Sequence, residues 1–385
     1  MADLTVTRSG RRFLAVPTNA LNVVVLAIVV VLIAAPLLKI TLVTLAPETI
    51  RAWQDVLSSR LSPNLFYKPL TNTLVIGASV AIGCVLIGGF LAWLVVMTDV
   101  PFRRTIAVLS TLPFMIPSFA AALAWGVLFR NDRVGGQIGY LEGLGFDVPD
   151  WLAWGMVPSL IVLVMHYFSL TFTVIAAALA TVNSDLVEAA ELTGARRSQI
   201  FFGIVLPVSL PALIAGASLS FAGGVSNFAV PALLGLPVRM QTLSTRIYGM
   251  IEVGQTARGY VIAILLVLIS AVFLWLGNRM ITGRRSYATI TGKGSRAKRF
   301  SLEGLRWPLA ALALFICVFS TIVPVLVLIA SSFAPSSSAL FSNWTLHFWL
   351  GPSSPSIAQG LAGIIHNPDI VSAIGITVGL GLTVA

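Results

Sequence analysis

Eight long, mostly apolar stretches alternate with shorter polar segments along the chain. They begin near residues 20, 72, 105, 152, 208, 259, 308 and 370. A helix of about 20 apolar residues is long enough to cross the hydrocarbon core of a membrane. A segment in lipid must be helical, because lipid offers the backbone no hydrogen-bonding partner. The pattern predicts an all-α membrane protein, a polytopic transmembrane helix bundle of about eight spans with the last one truncated.

The composition supports a chain that lies mainly in lipid. Hydrophobic residues make up 57% of it and charged residues 10%, with a mean hydropathy of +0.95. A soluble domain carries roughly 25% charged residues. The two cysteines, Cys84 and Cys317, fall inside apolar stretches, which favours packing over a disulfide framework or a metal site.

The distribution of basic residues predicts the orientation. With the N-terminus in the cytoplasm, the inside segments 1–19, 98–104, 181–206 and 283–306 hold 14 Lys and Arg. The outside segments are longer in total and hold eight. Because basic residues are enriched in cytoplasmic loops, we expect a multi-pass protein with a cytoplasmic N-terminus and membrane lipid around it. The basic residues are dispersed among the loops, which gives no support for nucleic-acid binding.

A repeated pattern indicates two related halves. Pro36 and Pro47, near the outer end of the first span, recur as Pro324 and Pro335 at an offset of 288 residues. The expected regions are 1–64 (tail, first helix and outer loop), 65–282 (a core of membrane spans, with a cytoplasmic loop at 183–207), 283–306 (basic cytoplasmic linker) and 307–385 (an incomplete second half). We therefore expect a truncated form of a fused two-half protein; the alternative is a natural eight-span chain.

The loop between the fourth and fifth apolar stretches carries a motif with fixed spacing, E-A-A-x3-G-x9-I-x-L-P. Its residues are Glu188, Ala189, Ala190, Gly194, Ile204, Leu206 and Pro207. The motif resembles the loop by which permease subunits of bacterial ATP-driven (ABC) importers dock onto their ATPase. The chain is therefore identified as resembling a type I ABC importer permease of the bacterial inner membrane.

The resemblance implies that this loop forms a coupling helix in a cleft of a cytoplasmic ATPase dimer. The residues themselves predict its local form. Asp185 and Glu188 have the spacing of a capping box, and Gly194 can adopt the left-handed conformation that ends a helix. The alternative is an ordinary amphipathic helix at the membrane interface.

Small residues and prolines predict how the spans pack and bend. Gly216, Ser220 and Gly224 are four residues apart, a spacing that lets helix backbones approach closely. Pro113 and Pro117 interrupt the third apolar stretch, which membrane helices tolerate where neighbours or a cavity satisfy the freed carbonyls.

Several polar residues within the spans are candidates for a translocation path. They are Ser218, Ser220, Ser226, Asn227 and His166. Intramembrane ionisable groups are functional candidates by default, but hydrogen bonds between helices explain the serines and the asparagine equally well. His166 and Tyr167 can also be a packing pair.

The sequence lacks the groups that other mechanisms need. No acidic residue lies in the middle of an apolar stretch, whereas ion-coupled carriers usually bind their ion with intramembrane carboxylates. The segment from Thr291 to Ser295 does not have the spacing of a phosphate-binding loop. We expect neither an enzyme nor a resident cofactor or metal, and we expect ATP hydrolysis on a partner subunit. An ion-coupled secondary transporter is the rival interpretation.

The segment from Phe228 to Tyr248 gives the only indication of a substrate. It resembles F-x-x-P-x-x-L-G-x-P followed by T-L-x-T-x-I-Y, which is found in fused permeases of ferric-iron, thiamine and phosphonate importers. The resemblance implies ferric iron as the first choice, with thiamine, phosphonate or polyamine as alternatives. It also implies a periplasmic substrate-binding protein that selects the solute.

Overall fold

The computed structural model describes residues 16–182, 184–282, 300–334, 344–354 and 360–384. Helices account for most of these residues and a β-strand is absent from them, which confirms the predicted all-α class. The first helices are α1 (Val16–Leu45), α2 (Arg51–Leu57), α3 (Lys68–Met97), α4 (Arg103–Thr111), α5 (Ser118–Phe129), α6 (Tyr140–Gly143), α7 (Asp150–Ala153), α8 (Met156–Leu179) and α9 (Ser184–Leu192). The others are α10 (Arg197–Ile200), α11 (Leu206–Ser226), α12 (Ala229–Leu234), α13 (Leu243–Glu252), α14 (Thr256–Thr282), α15 (Arg306–Cys317), α16 (Val323–Ser331), α17 (His347–Leu350) and α18 (Pro368–Val384).

Six helical stretches within the described residues are long and apolar enough to cross a membrane, or seven if a bent pair is one span. They are Asn22–Leu45, Pro63–Met97, Asp150–Leu179, Ser198–Ser226, Thr256–Ile281 and Glu303–Ser331. Two of these spans each combine two α-helices. The π-helical turn Phe201–Val205 joins α10 to α11, and the π-helical turn Val318–Ile322 joins α15 to α16, so the helix is continuous in both spans.

The prediction of about eight spans was therefore slightly too high, and two stretches account for the difference. The stretch near residue 105 consists of Arg103–Met115 and Ser118–Phe129, which meet at 97°. Pro113 and Pro117 lie at this break, and proline cannot supply the N–H that a continuous helix needs. The stretch near residue 370 is α18, whose 17 residues are at the lower limit for a span.

The chain divides into two compact units. One consists of Met1–Phe66, described from residue 16, and Arg246–Leu268. In this unit α2 buries Ala52 and Val56, and Asp55 accepts hydrogen bonds from Arg258 Nε and Nη2 at 3.1 and 2.9 Å. The large apolar side chains of α1 from Val23 to Ile33 are exposed, as expected of a helix that lipid would surround.

The second unit, Tyr67–Thr245 with residues 269 onward, is built on α3, α8 and α11. A large apolar cluster in its core includes Ile76, Leu91, Leu163 and Phe168, all almost completely buried. The broken pair α4 and α5 packs on α8, and α16 packs on α5.

Small residues bring the three central helices close together. Gly216 of α11 lies against Thr171 of α8, and Gly224 lies against Val80 of α3. A side chain at Gly88 would collide with the backbone of α8 at Phe168 and Phe172. The close packing predicted from the four-residue spacing in α11 is thus confirmed.

A short backbone pairing holds residues 300–306 against the end of α3. Phe300 N donates to Met97 O at 2.8 Å, and Asp99 N donates to Phe300 O at 3.2 Å. The Asp99 carboxylate also accepts from Leu302 N at 2.8 Å and lies 3.6 Å from Arg306 Nε. Residues 283–299 of the predicted linker lie outside the described residues.

Candidate functional site

The loop that carries the spaced motif consists of two short helices joined by a glycine turn. Gly194, with a φ of +81°, ends α9. Its N–H donates to Glu191 O at 2.9 Å, and Ala195 N donates to Ala190 O at 3.0 Å. This pair of bonds is a Schellman motif, which satisfies carbonyls at the end of a helix. The left-handed conformation predicted for Gly194 is confirmed.

One face of α9 is open and the other is attached to the core. Glu188 and Ala189 are exposed, whereas Ala190 is half-buried and packs against the core. Leu192 is 89% exposed, so a large apolar side chain stands on a polar loop. The sequence analysis did not single out Leu192, although its position at the end of α9 in a polar loop was the available signal. The side chain of Asp185, in the predicted capping box, lies outside the described residues.

The second part of the motif returns the chain to the central helices. Ile204 packs against the core, and Leu206 and Pro207 form the first turn of α11. Pro207 directly follows the π-helical turn at Phe201–Val205, where the regular α-helical hydrogen bonding is already interrupted, so its missing N–H is tolerated within the continuous helix. Phe201 contacts Trp93 of α3 edge to face, with 6.4 Å between ring centroids. The loop is therefore connected directly to the ends of α3 and α11.

The serines predicted as path candidates make different contacts. Ser220 is fully buried and its hydroxyl lies 2.7 Å from that of Thr171. Ser218 is buried and packs against Gly277 of α14. Ser226 is exposed, and its hydroxyl donates to Ala222 O within the same helix at 2.7 Å. Ser218 and Ser220 thus join helices, whereas Ser226 presents its hydroxyl at a surface.

Asn227 connects four elements of the second unit. Its amide nitrogen donates to Ser118 Oγ of α5 at 3.0 Å and to the Tyr167 hydroxyl of α8 at 3.3 Å. Its amide oxygen accepts from Val230 N of α12 at 3.0 Å. Its backbone carbonyl accepts from Ser244 Oγ of α13 at 2.9 Å. These contacts define the Asn227 cluster: Asn227, Ser118, Tyr167, Val230 and Ser244.

The Asn227 cluster lies where α11 ends and where α5 begins, beside the middle of α8. Tyr167 is the twelfth of the 24 residues of α8, so it lies roughly 18 Å along that helix at a rise of 1.5 Å per residue. Two helix interruptions meet here, one between α4 and α5 and one between α11 and α12. Interrupted helices at the middle of the membrane are a recurrent way in which transporters form solute and ion sites.

His166 lies next to this cluster, at the α4–α5 break. Its ring contacts Phe114 and Tyr167, with centroid distances of 5.3 and 4.7 Å. It also lines a narrow cavity of about 20 Å³ with Pro113, Ile116 and Ser320 among others. The structure brings His166 and Asn227 together through Tyr167, whereas Ser218 and Ser220 face other helices. Within the described ranges, no three His, Cys, Asp or Glu side chains converge.

Comparisons with known proteins cover the region that contains α9 and the Asn227 cluster. Residues 84–285 match the family described as binding-protein-dependent transport system inner membrane component, over slightly more than half of the chain. The ferric transport system permease FbpB 1 of Haemophilus influenzae is 27% identical over 271 residues, which are 68% of this chain and 41% of that protein. The chain thus spans less than half the length of this relative.

Two further similar proteins are a permease for a different solute and a transporter of known structure. The molybdenum transport system permease ModB of Haemophilus influenzae is 30% identical over 200 residues, which are 50% of this chain and 84% of ModB. A bacterial alginate ABC transporter, solved in complex with an alginate pentasaccharide-bound periplasmic protein, aligns with a TM-score of 0.53 at 18% identity. That alignment covers 73% of this chain and 99% of the other.

Proposed function

Since the chain belongs to the family of binding-protein-dependent transport system inner membrane components, we propose that it conducts ferric iron as the permease subunit of an ATP-driven importer. The observation that carries the proposed permease role is the extent of the family match, residues 84–285. This range contains both the exposed loop at α9 and the helix interruptions that meet at Asn227.

The proposed docking site for the ATPase dimer is the open face of α9. The small side chain of Ala189 allows another surface to approach the helix, and Glu188 and Leu192 flank it. Burial of an exposed leucine contributes about 1.5–3 kcal/mol, so Leu192 is well placed as an apolar contact. This arrangement requires α9 to be on the cytoplasmic side. It also requires a cytoplasmic N-terminus when the bent pair Arg103–Met115 and Ser118–Phe129 crosses the membrane as one span.

The proposed mechanism is alternating access. When the ATPase subunits close on ATP, α9 moves with them, and the contact of Phe201 with Trp93 transmits the motion to α11 and α3. The interruptions at Pro113–Pro117 and at Asn227 are the points where the helices can change direction. In this proposal Asn227, Ser226 and His166 border the path, whereas Ser218 and Ser220 hold helices together.

Ferric iron is supported by the ferric relative, and the molybdenum relative is the reason why the cargo needs a direct test. Thiamine, phosphonate and polyamine remain alternatives. A periplasmic binding protein would select the solute and dock on the outer loops, and the solved alginate complex with its periplasmic protein supports that partner. A permease that receives a selected solute does not need a high-affinity site of its own.

The decisive experiment measures uptake of radiolabelled ferric iron in cells with and without the gene for this chain. We expect deletion to abolish ATP-dependent iron uptake. Unchanged iron uptake would reject iron as the cargo, and molybdenum, phosphonate, thiamine and polyamine uptake would be measured next. Uptake that survives ATP depletion but collapses with an uncoupler would instead favour a secondary transporter.

The role of α9 has its own test. Ala189→Glu places a bulky charge on the proposed docking face, and we expect it to abolish transport while the protein remains in the membrane fraction. Thr181→Glu is the matched control, because Thr181 is equally exposed in the turn before α9. Equal transport by the two variants would reject the docking role of this face.

A further inference from the structure

A cavity of about 110 Å³ lies at the end of α5, between this helix, α12 and the segment that follows Ile138. Its polar lining comes from Arg130, Gln137 and the edge of Trp154, and its apolar lining comes from α5 and α12. Arg130 follows the last residue of α5, so the cavity lies at the end of a predicted span. A volume of this size holds several water molecules or one small polyatomic ion.

The backbone of Arg130 is held firmly in place. Its N–H donates to Gly126 O at 3.0 Å, and its carbonyl accepts from Gly139 N at 2.7 Å. Gly139 fits tightly here because a side chain would collide with the backbone of Leu128 and Arg130. The loop is therefore fastened to α5 on both sides of the arginine.

The side chain of Arg130 rests on an immobilised aromatic ring. Its guanidinium carbon lies 5.5 Å from the centroid of Trp154. The indole N–H of Trp154 donates to Asn131 Oδ1 at 2.8 Å, and Asn131 in turn donates to Val148 O and Asp150 Oδ1. The guanidinium carbon lies over the ring, and this cation–π contact uses none of the guanidinium N–H groups.

The guanidinium of Arg130 lacks a counter-ion in the part of the chain that the structure describes. Its Nε is buried without a hydrogen-bond partner there. The nearby Arg133, in contrast, is exposed and forms an ion pair with Asp150. A partly buried charge without a partner is unfavourable. An arginine whose N–H groups are not used by protein acceptors can donate them to a planar or tetrahedral oxyanion.

We propose that the Arg130 cavity binds a small oxyanion, with the guanidinium donating to two of its oxygens and the Gln137 amide closing the exposed rim. The chemistry suits sulfate or inorganic phosphate, and equally the phosphate of a lipid headgroup at the membrane surface. Because Leu233 and Leu234 of α12 line the same cavity, a bound anion joins the loop after α5 to α12.

The test measures the thermal unfolding midpoint of the intact protein in a maltoside detergent, titrated with sodium sulfate at constant ionic strength. We expect sulfate to raise the midpoint of the wild type with saturation, and Arg130→Gln to weaken the apparent affinity at least tenfold. Arg133→Gln is the matched control and is expected to change the affinity less than twofold. Equal effects of the two substitutions, or no saturable stabilisation of the wild type, would overturn the proposal.

Two further measurements cover folding and the source of the anion. Arg130→Lys keeps the charge but loses the paired donors, so we expect a folded protein with weakened sulfate binding; unchanged affinity would contradict the proposed geometry. Native mass spectrometry distinguishes the sources. A phospholipid that co-purifies with the wild type but not with Arg130→Gln assigns the site to a headgroup, whereas sulfate binding without retained lipid assigns it to a free anion.

Discussion

The closest approach between α3 and α8 offers a sharp test of the packing. At Gly88, an added Cβ would lie 2.8 Å from the carbonyl oxygen of Phe168 and 2.8 Å from the backbone nitrogen of Phe172. At the adjacent Gly89, the nearest atoms are side-chain methyl groups of Ile175 and Leu213, at 3.6 and 3.8 Å. The same one-carbon change therefore meets backbone at the first position and ordinary van der Waals contact at the second.

The expected energies have opposite signs. Replacing glycine by alanine inside a helix stabilises it by about 0.5–1 kcal/mol through lower backbone entropy. Gly89→Ala should show this gain. Gly88→Ala must move two helices apart, and overpacking typically destabilises by about 1–3 kcal/mol. The entropy gain applies to both variants, so we expect them to differ by the overpacking cost, about 1–3 kcal/mol in free energy of unfolding, with Gly88→Ala below the wild type.

The assay is denaturant unfolding of the purified protein in mixed detergent micelles, followed by tryptophan fluorescence and circular dichroism. Both variants must be present in the membrane fraction at comparable levels for the comparison to be fair. If Gly88→Ala proves as stable as Gly89→Ala, then α3 and α8 do not touch as the structure has them.

Three further predictions concern single residues. Asn227→Leu removes the bonds to α5, α8 and α12 and should lower the free energy of unfolding by about 2–4 kcal/mol, since each buried group left unpaired costs about 1–3 kcal/mol; Ser226→Ala, measured beside it, should stay within about 0.5 kcal/mol. Gly194→Ala must adopt a φ near +81° and should speed amide hydrogen exchange in α9, whereas Gly194→Asn, which tolerates that conformation, should not. Burial raises the pKa of Tyr140 above 10.0, so the unfolded state releases this proton first and stability should fall as the pH rises above 10.0; Tyr140→Phe should abolish this fall in pH-dependent unfolding.

The helical architecture could be predicted from the sequence because each apolar stretch must satisfy its own backbone hydrogen bonds, which is a local requirement. An apolar stretch in lipid satisfies its backbone only as a helix, so the positions of most spans could be predicted. The small residues of α11 also predicted close packing. Gly216 and Gly224 have no side chain, so neighbouring helices can approach the backbone of α11 closely at these positions. The third span was mistaken because the apolar pattern continues through Pro113 and Pro117 while the backbone turns there.

The candidate site was less accessible to sequence reasoning because it depends on contacts between distant segments. Asn227 was a candidate on polarity alone, and nothing in the sequence could indicate that it meets Ser118, which is 109 residues away. Ser220 was equally plausible beforehand, yet its hydroxyl is used by Thr171. Arg130 belongs to an ordinary polar loop in the sequence, and only the tertiary structure places it over Trp154.

The pairing between residues 97–99 and 300–302 has a consequence for natural variation in this protein. Two of its hydrogen bonds join backbone atoms of Met97, Asp99 and Phe300, so the identities of the side chains do not determine them. Substitutions can accumulate at Phe300 and its neighbours without breaking these bonds. An insertion or deletion on either side would shift the register and remove both bonds together. Among homologues, the lengths of these two segments should therefore vary less than their residues do.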